Sequence, residues 1–383
     1  MRKRRAIKIV LISAVVLFVL IAVVLLVGFF KLRSLASERS TPVDGRYFVT
    51  PDTSLFILAR LKLSDEGVLE FSDRLTKAYD TNREDRAGLW EDLAYFALGF
   101  DQPSEAITRP LPAEVAVVVR YDPHKAEFHS YAVYSISGLA ALARLAARNL
   151  SLLAPEAAES YGQQTHSDET VFVPENAAGP PGPRLSERDI EALVPPAALS
   201  EACWSVIENN ILFSRRVSSL SLAVDDVKAV FAGAAQPQHS PITEVVPSLD
   251  GGVDITGGLI NEHGELACVL SLLGKLIDAK DMATWLRAEG ALRDVSTITR
   301  VGFSADIRRG DRIVVTIRFA YTSHRSALRV ASVLIKALTE WKPPPPVQLW
   351  IGPDLESGRV GIKAILSGVG EYLEQAVKAP TAP

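Results

Sequence analysis

An uncharged run from Ile9 to Phe30 limits what the rest of this chain can be. It consists of Ile, Val, Leu, Phe and Ala with one serine, Ser13, and one glycine, Gly28. At a helical rise of about 1.5 Å per residue it would extend roughly 33 Å, enough to cross a ~30 Å hydrocarbon core. Arg2, Lys3, Arg4, Arg5 and Lys8 precede it, whereas Lys31, Arg33 and Arg39 follow it, diluted by Glu38 and Asp44. By the positive-inside rule the N-terminus is expected in the cytoplasm and the bulk of the chain outside it. The apolar region of a cleaved signal peptide covers only about 7–15 residues. Lys31 and Arg33 also separate the run from the small-residue site at Ser34-Leu35-Ala36. A retained signal anchor is therefore expected. The span contains no GxxxG dimerisation motif, and no second apolar run approaches the ~18 residues a span needs, so a single pass is expected.

Beyond the anchor, roughly 350 residues are too many for one ordinary core and suit two domains. Hydrophobic residues make up 48% of the chain, too many for a disordered ectodomain. The net charge is −4, and since the N-terminal tip is strongly basic, the remainder is more acidic than that figure. Nucleic-acid binding needs a basic face and is not expected. The basic cluster noticed outside the tip is Arg308, Arg309 and Arg312, assigned to a solvated hairpin turn. Cys203 and Cys268 lack a CxxC pattern and make no zinc site of the usual kind. They are read as separately buried thiols, with a disulfide as the alternative open to an exported chain.

Patterning divides the chain into a basic tip (1–8), a transmembrane helix (9–30), a stalk (31–45), a first α+β domain (46–233), a linker (234–250) and a second α+β domain (251–379). In the first domain a strand is expected at 54–61, helices at 64–80 and 84–98, and strands at 114–121 and 127–135 around an Asp122-Pro123 turn. A helix at 138–152 comes next. Residues 155–200, with Gly179-Pro-Pro-Gly-Pro183, are read as a flexible surface insertion carrying one short helix at 186–193. Strands at 202–208 and 211–215 then surround Asn209-Asn210, and a helix covers 219–232. The second domain repeats this order: a strand at 252–259, helices at 263–278 and 281–290, and strands at 299–307 and 312–321. A helix at 324–341, a hairpin at 347–351 and 360–364, and a helix at 367–378 complete it. In 299–307, Val301, Phe303, Ala305 and Ile307 alternate with polar residues, the period of a half-buried strand. The expected fold is two related α+β units, each an antiparallel sheet with helices packed on one face. The opening β-α-β-β-α-β order resembles a ferredoxin-like split βαβ unit.

The proline-led first strand, Pro51-Asp-Thr-Ser-Leu-Phe-Ile-Leu58, and the recurring strand-turn-strand-helix blocks carry a further resemblance. The layout is similar to that of bacterial single-pass envelope proteins with a duplicated α+β ectodomain. It extends over most of residues 47–378 and implies no transferable activity, cofactor or site residue.

The strongest grouping of potential ligands is Asp122, His124, Glu127 and His129, two pairs across one hairpin that could converge as a mixed N/O metal site. A solvated hairpin tip is the competing reading. There is no G-x-S-x-G, Walker A or GxGxxG sequence, and Gly257-Gly258 suits close backbone packing better than a phosphate loop. Asp225-Asp226 is placed on the exposed face of a helix. No catalytic residue, cofactor or metal is expected. The function expected is that of a non-enzymatic, membrane-anchored interaction or scaffold module at the cell envelope, held in the lipid bilayer through Ile9 to Phe30 and facing an envelope protein partner. The alternative is a lipid or small-ligand module with a pocket in or between the two domains.

Overall fold

The computed structural model describes residues 43–60, 112–136, 161–193, 202–235, 240–246, 254–276, 290–308, 312–340, 343, 345–354 and 360–378. The expected membrane span, residues 31–42 of the expected stalk, the helices at 64–80, 84–98 and 138–152, and most of that at 281–290 lie outside these residues, whereas Val43 and Gly45, at the end of the segment read as stalk, are buried in the fold. No helix among the described residues is long and apolar enough to cross a membrane.

The chain is α+β, built on one large antiparallel sheet. Its strands are β1 (Thr53–Arg60), β2 (Pro112–Asp122), β3 (Glu127–Ile136), β4 (Tyr161–His166), β5 (Glu169–Pro174), β6 (Cys203–Ile207), β7 (Asn210–Ser214), β8 (Ile255–Ile260), β9 (Ile298–Arg308), β10 (Arg312–Tyr321), β11 (Gln348–Pro353) and β12 (Gly361–Ser367). The described helices are α1 (Glu187–Glu191), α2 (Val217–Phe231), α3 (Glu265–Leu276), α4 (Leu292–Val295), α5 (His324–Glu340) and α6 (Val369–Lys378). The strand order is β11-β12-β10-β9-β8-β1-β2-β3-β7-β6-β5-β4.

The halves of the chain meet at β1 and β8, which pair antiparallel with Leu55 opposite Leu259 and Ile57 opposite Gly257. Outward from this seam the connectivity is the same on both sides. A two-strand meander (β2-β3 or β9-β10) is followed by the second strand of a later hairpin (β7 or β12), then by its first strand (β6 or β11). β1 pairs antiparallel with β2, so the opening strands form a meander rather than a split βαβ unit.

Strand alternation directs side chains to two cores. From β1, Leu55 enters a cluster with Leu266, Leu270, Val330 and Leu334, while Phe56 and Leu58 enter one with Leu220, Val224 and Val227. The helices therefore lie on both faces of the continuous sheet, α3 and α5 of the second half on one and α2 of the first half on the other. Leu220, Ala223, Val224 and Val227 recur at helical spacing and make the buried stripe of α2. Each such Leu or Val contributes about 1.5–3 kcal/mol on full burial.

Three further differences from the sequence reading have local causes. Residues 155–200 are not simply a surface loop. β4 and β5 extend the sheet through Val171 and Phe172 on β6, turning on Ser167 and Asp168, both at positive φ (49° and 67°). The 203–214 hairpin turns at Glu208-Asn209 rather than Asn209-Asn210, since Asn210 pairs with Ile207 and its buried amide oxygen accepts from Ser135 Oγ at 2.6 Å. Part of the segment read as a linker packs as a strap: Ser240 caps a 3-10 turn (Pro241–Glu244), and Ile242 is fully buried. Gly302 and Gly258 make room for this strap. A Cβ on Gly302 would lie 1.8 Å from the Val245 carbonyl oxygen, and one on Gly258 would lie 2.9 Å from Val246.

Candidate functional site

Of the hairpin residues singled out as potential metal ligands, Asp122 and His129 make hydrogen-bonding contacts of their own. Asp122 Oδ1 accepts from the backbone N–H groups of His124 at 2.8 Å and Lys125 at 3.3 Å, closing the turn and holding its carboxyl below the usual range. Glu127 lies opposite Asp122 in the register, and its Oε2 is 3.9 Å from His129 Nε2. His129 turns its Nδ1 to Ser219 Oγ on α2, 3.3 Å away. Burial pushes the His129 imidazole below the ordinary histidine range, with Lys125 and Arg120 adding to the effect and Glu127 and Asp122 opposing it. Among the described residues no group of three or more His, Cys, Asp or Glu side chains could hold a metal ion. Cys203 and Cys268 are both thiols, and burial pushes Cys203 up to about 11.

Asp226 is not on an exposed helix face. It accepts from Arg120 Nη2 at 2.9 Å and from the Tyr131 hydroxyl at 2.5 Å, beneath strands β2 and β3. Burial raises the Asp226 carboxyl, with Arg120 and Tyr131 opposing that shift, and burial takes Tyr131 well above its ordinary value. Arg120 Nη2 also donates to the Phe48 carbonyl at 3.1 Å, while its buried Nε has no partner. A second buried pair ties the start of the domain down: Arg60 bridges Glu114 at 2.5 Å and Asp44 at 2.7 Å. Both groupings are paired and enclosed, and they fasten residues 44–48 to β1 and β2. Ser167 and His166 both bond to Asp225 on the surface, so the histidine does not bridge serine to carboxylate as a nucleophilic relay requires.

Two open clefts lie where the two halves of the chain meet, and a third, about 400 Å³, lies between the end of α5 and β11. His263, between β8 and α3, stacks on Tyr121 of β2 with ring centroids 3.8 Å apart. Its backbone N–H donates to Glu265 Oε2 at 2.8 Å. Two clefts share this histidine. The larger, about 760 Å³, has Arg184, Arg188, Arg215 and Arg216 from the first half facing Gly264, Ala267 and Cys268 of the second. Leu185, Ser186 and Glu187 complete its first-half wall. The smaller, about 440 Å³, is lined by Asp52, Tyr121 and Pro123 against Ile260, Glu262 and Glu265. The seam is therefore arginine-rich on one side of His263 and acidic on the other.

Local structure explains how four arginines converge. Ser186 caps α1 by accepting from the Asp189 N–H at 3.3 Å, which places Arg184 and Arg188 at the cleft mouth, both exposed. Asp189, 3% exposed, receives Arg216 through both Nε and Nη2 at 3.1–3.2 Å, with Arg215 Nη1 at 3.5 Å. Arg216 Nη1 also donates to the carbonyls of Gly179, at 2.7 Å, and Pro180. Asp189 thus fixes the Arg215-Arg216 corner, where β7 runs into α2. Of the Arg308, Arg309 and Arg312 cluster noticed in the sequence, Arg308 and Arg312 lie opposite each other on β9 and β10, and Arg309 lies outside the described residues. The informative arginines were missed because they lie on separate segments that only the fold brings together.

No protein-family model matches the chain, and no curated protein matches it. One solved structure, crystal form IV of TP0453, aligns with 88% of this chain and 97% of its own at 10% identity, with a TM-score of 0.33. A likeness at that level assigns neither fold nor function.

Proposed function

We propose that this protein is a single-pass, membrane-anchored module that binds a ligand outside the cytoplasm and performs no chemistry on it. The observation carrying this reading is the cleft of about 760 Å³ whose walls come from both halves of the chain. Its size suits a small molecule or a lipid headgroup with part of its chains. The Ile9 to Phe30 run supplies the anchor, and the basic N-terminal tip keeps that end cytoplasmic. In a bacterium this places the sheet on the outer side of the inner membrane. Thirteen residues from Phe30 to the buried Val43 allow a reach of at most about 45 Å, so the clefts stay near the bilayer. The matching strand order on either side of the seam supports a duplicated α+β unit as the origin of the two halves.

A scaffold that recruits an envelope protein is the second reading. It is favoured by Trp350, 54% exposed on β11, which among the described strands ends the sheet and pairs on one side.

The full chain purified from membranes, extracted with solvent and analysed by mass spectrometry, should yield a stoichiometric small molecule or lipid. Recovery of no ligand, with in-cell crosslinks from β11 to one protein, would replace this reading with the scaffold. A reporter fused after Pro383 should be active only outside the cytoplasm, and cytoplasmic activity would overturn the topology.

A further inference from the structure

The four guanidinium groups along one cleft select for charge. Arg184, Arg188, Arg215 and Arg216 line the same concavity, and the acidic residue lining it is Glu187. Asp189, behind the wall, is already engaged by Arg215 and Arg216. Holding these arginines together repels charge against charge, a cost that an anionic ligand would offset. A guanidinium fork matches a phosphate or carboxylate through two parallel N–H···O bonds and is weakly hydrated, so it gives up water readily on binding. Ala267, Cys268 and Leu185 supply an apolar floor, and about 760 Å³ is far larger than a bare inorganic anion. On the other side of His263, Asp52, Glu262 and Glu265 line the smaller cleft and repel an anion from it.

We infer that the seam cleft binds a phosphate-bearing ligand whose anionic group is held by Arg184, Arg188 and Arg215, with Arg216, whose N–H groups are taken by Asp189, Gly179 and Pro180, contributing positive charge alone. This rests on the binding function proposed above. The Asp189 clamp pre-positions Arg215 and Arg216, while the exposed Arg184 and Arg188 close on the anion. A lipid phosphate headgroup and a free phosphate ester share this chemistry.

Cys268 lies in the cleft wall and is part-exposed, whereas Cys203 is fully buried, so alkylation of Cys268 reports occupancy. The full chain in phosphatidylcholine nanodiscs is treated with N-ethylmaleimide, and the Cys268 peptide is followed by mass spectrometry. The probes are inorganic phosphate, dihexanoyl phosphatidic acid and uncharged dihexanoylglycerol. Occupancy near 90%, reached at about ten times Kd, should slow alkylation roughly tenfold. Protection by inorganic phosphate would assign a free phosphate group as sufficient, and protection by the diacyl phosphate alone would assign a lipid headgroup. The Arg184→Glu/Arg188→Glu double variant, changed at exposed positions and so expected to fold, should raise Kd about tenfold or more. Equal protection by dihexanoylglycerol, or protection unchanged in the double variant, would overturn the phosphate assignment while keeping the cleft a binding site. No protection by any probe would also overturn it, and the binding function would then be judged by the solvent extraction alone.

Discussion

The imidazole of His263 lies against the ring of Tyr121, centroids 3.8 Å apart and planes inclined by 30°, with Phe128 edge-on 6.0 Å away. This contact joins a loop of the second half to a strand of the first and forms the wall between the two clefts. Replacing His263 with Ala removes the stacking and should cost about 0.5–1.5 kcal/mol in urea unfolding. The same variant should open one cleft into the other, measurable as weaker binding of whatever ligand the wild-type chain retains. An unchanged ligand affinity would show that His263 is only a packing residue.

In the Arg120–Asp226–Tyr131 grouping, removing the Asp226 carboxylate takes the acceptor from the buried Tyr131 hydroxyl and leaves the buried Arg120 charge with the Phe48 carbonyl but no counter-ion. Asp226→Ala should destabilise by about 3 kcal/mol, the low end for a buried pair because the Asp226 side chain is 21% exposed. An Arg120→Met/Asp226→Leu double variant should lose much less, since neither charge is then stranded. Unfolding midpoints of the two variants decide the matter, and equal losses would contradict it.

His129 provides a pH signature. Its folded pKa is lowered by burial, so the unfolded chain takes up a proton first as the pH falls. Stability is then in place above the unfolded value of about 6.5 and declines as the pH drops through it towards the lower folded value. A His129→Gln variant should lose this part of the decline, and subtracting its unfolding free energies from those of the wild type between pH 7.5 and about 5 isolates the effect. The charged neighbours of His129 are Glu127, Lys125, Asp122 and Arg120, and they stay unchanged in both proteins.

Gly302 admits the strap at Val245 where any Cβ would strike a carbonyl oxygen. Gly302→Ala should therefore cost about 3 kcal/mol or more, because backbone cannot move aside as a flexible side chain does. Gly162→Ala on β4 is the matched control: the nearest atom to its new Cβ is 3.7 Å away, so its cost should be below about 1 kcal/mol. Thermal unfolding of the two variants measures the contrast.

Local patterning was enough to find most of the described strands. The alternation of Val301, Phe303 and Ala305, and the Asp122 turn, each placed a strand within a residue or two. The β4–β5 hairpin was missed because Gly162, Gln163 and Gln164 face solvent and leave no apolar alternation to read. Asp226 was misplaced, although Arg120 shares strand parity with the buried Ala116 and Val118, a charge at a core position that calls for a buried partner. The pairing of β1 with β8 and the convergence of Arg184, Arg188, Arg215 and Arg216 depend on the order of strands in the sheet. No spacing along the chain encodes that order.

The most direct test is native mass spectrometry of the full chain released from detergent, comparing wild type with Ala267→Trp. Ala267 is exposed on the cleft wall, so an indole there should fill the cleft without disturbing either core. The proposed function predicts a bound small molecule on the wild-type chain and its loss from the variant at unchanged unfolding temperature. A wild-type chain that carries nothing, or a variant that keeps the same ligand, would contradict it.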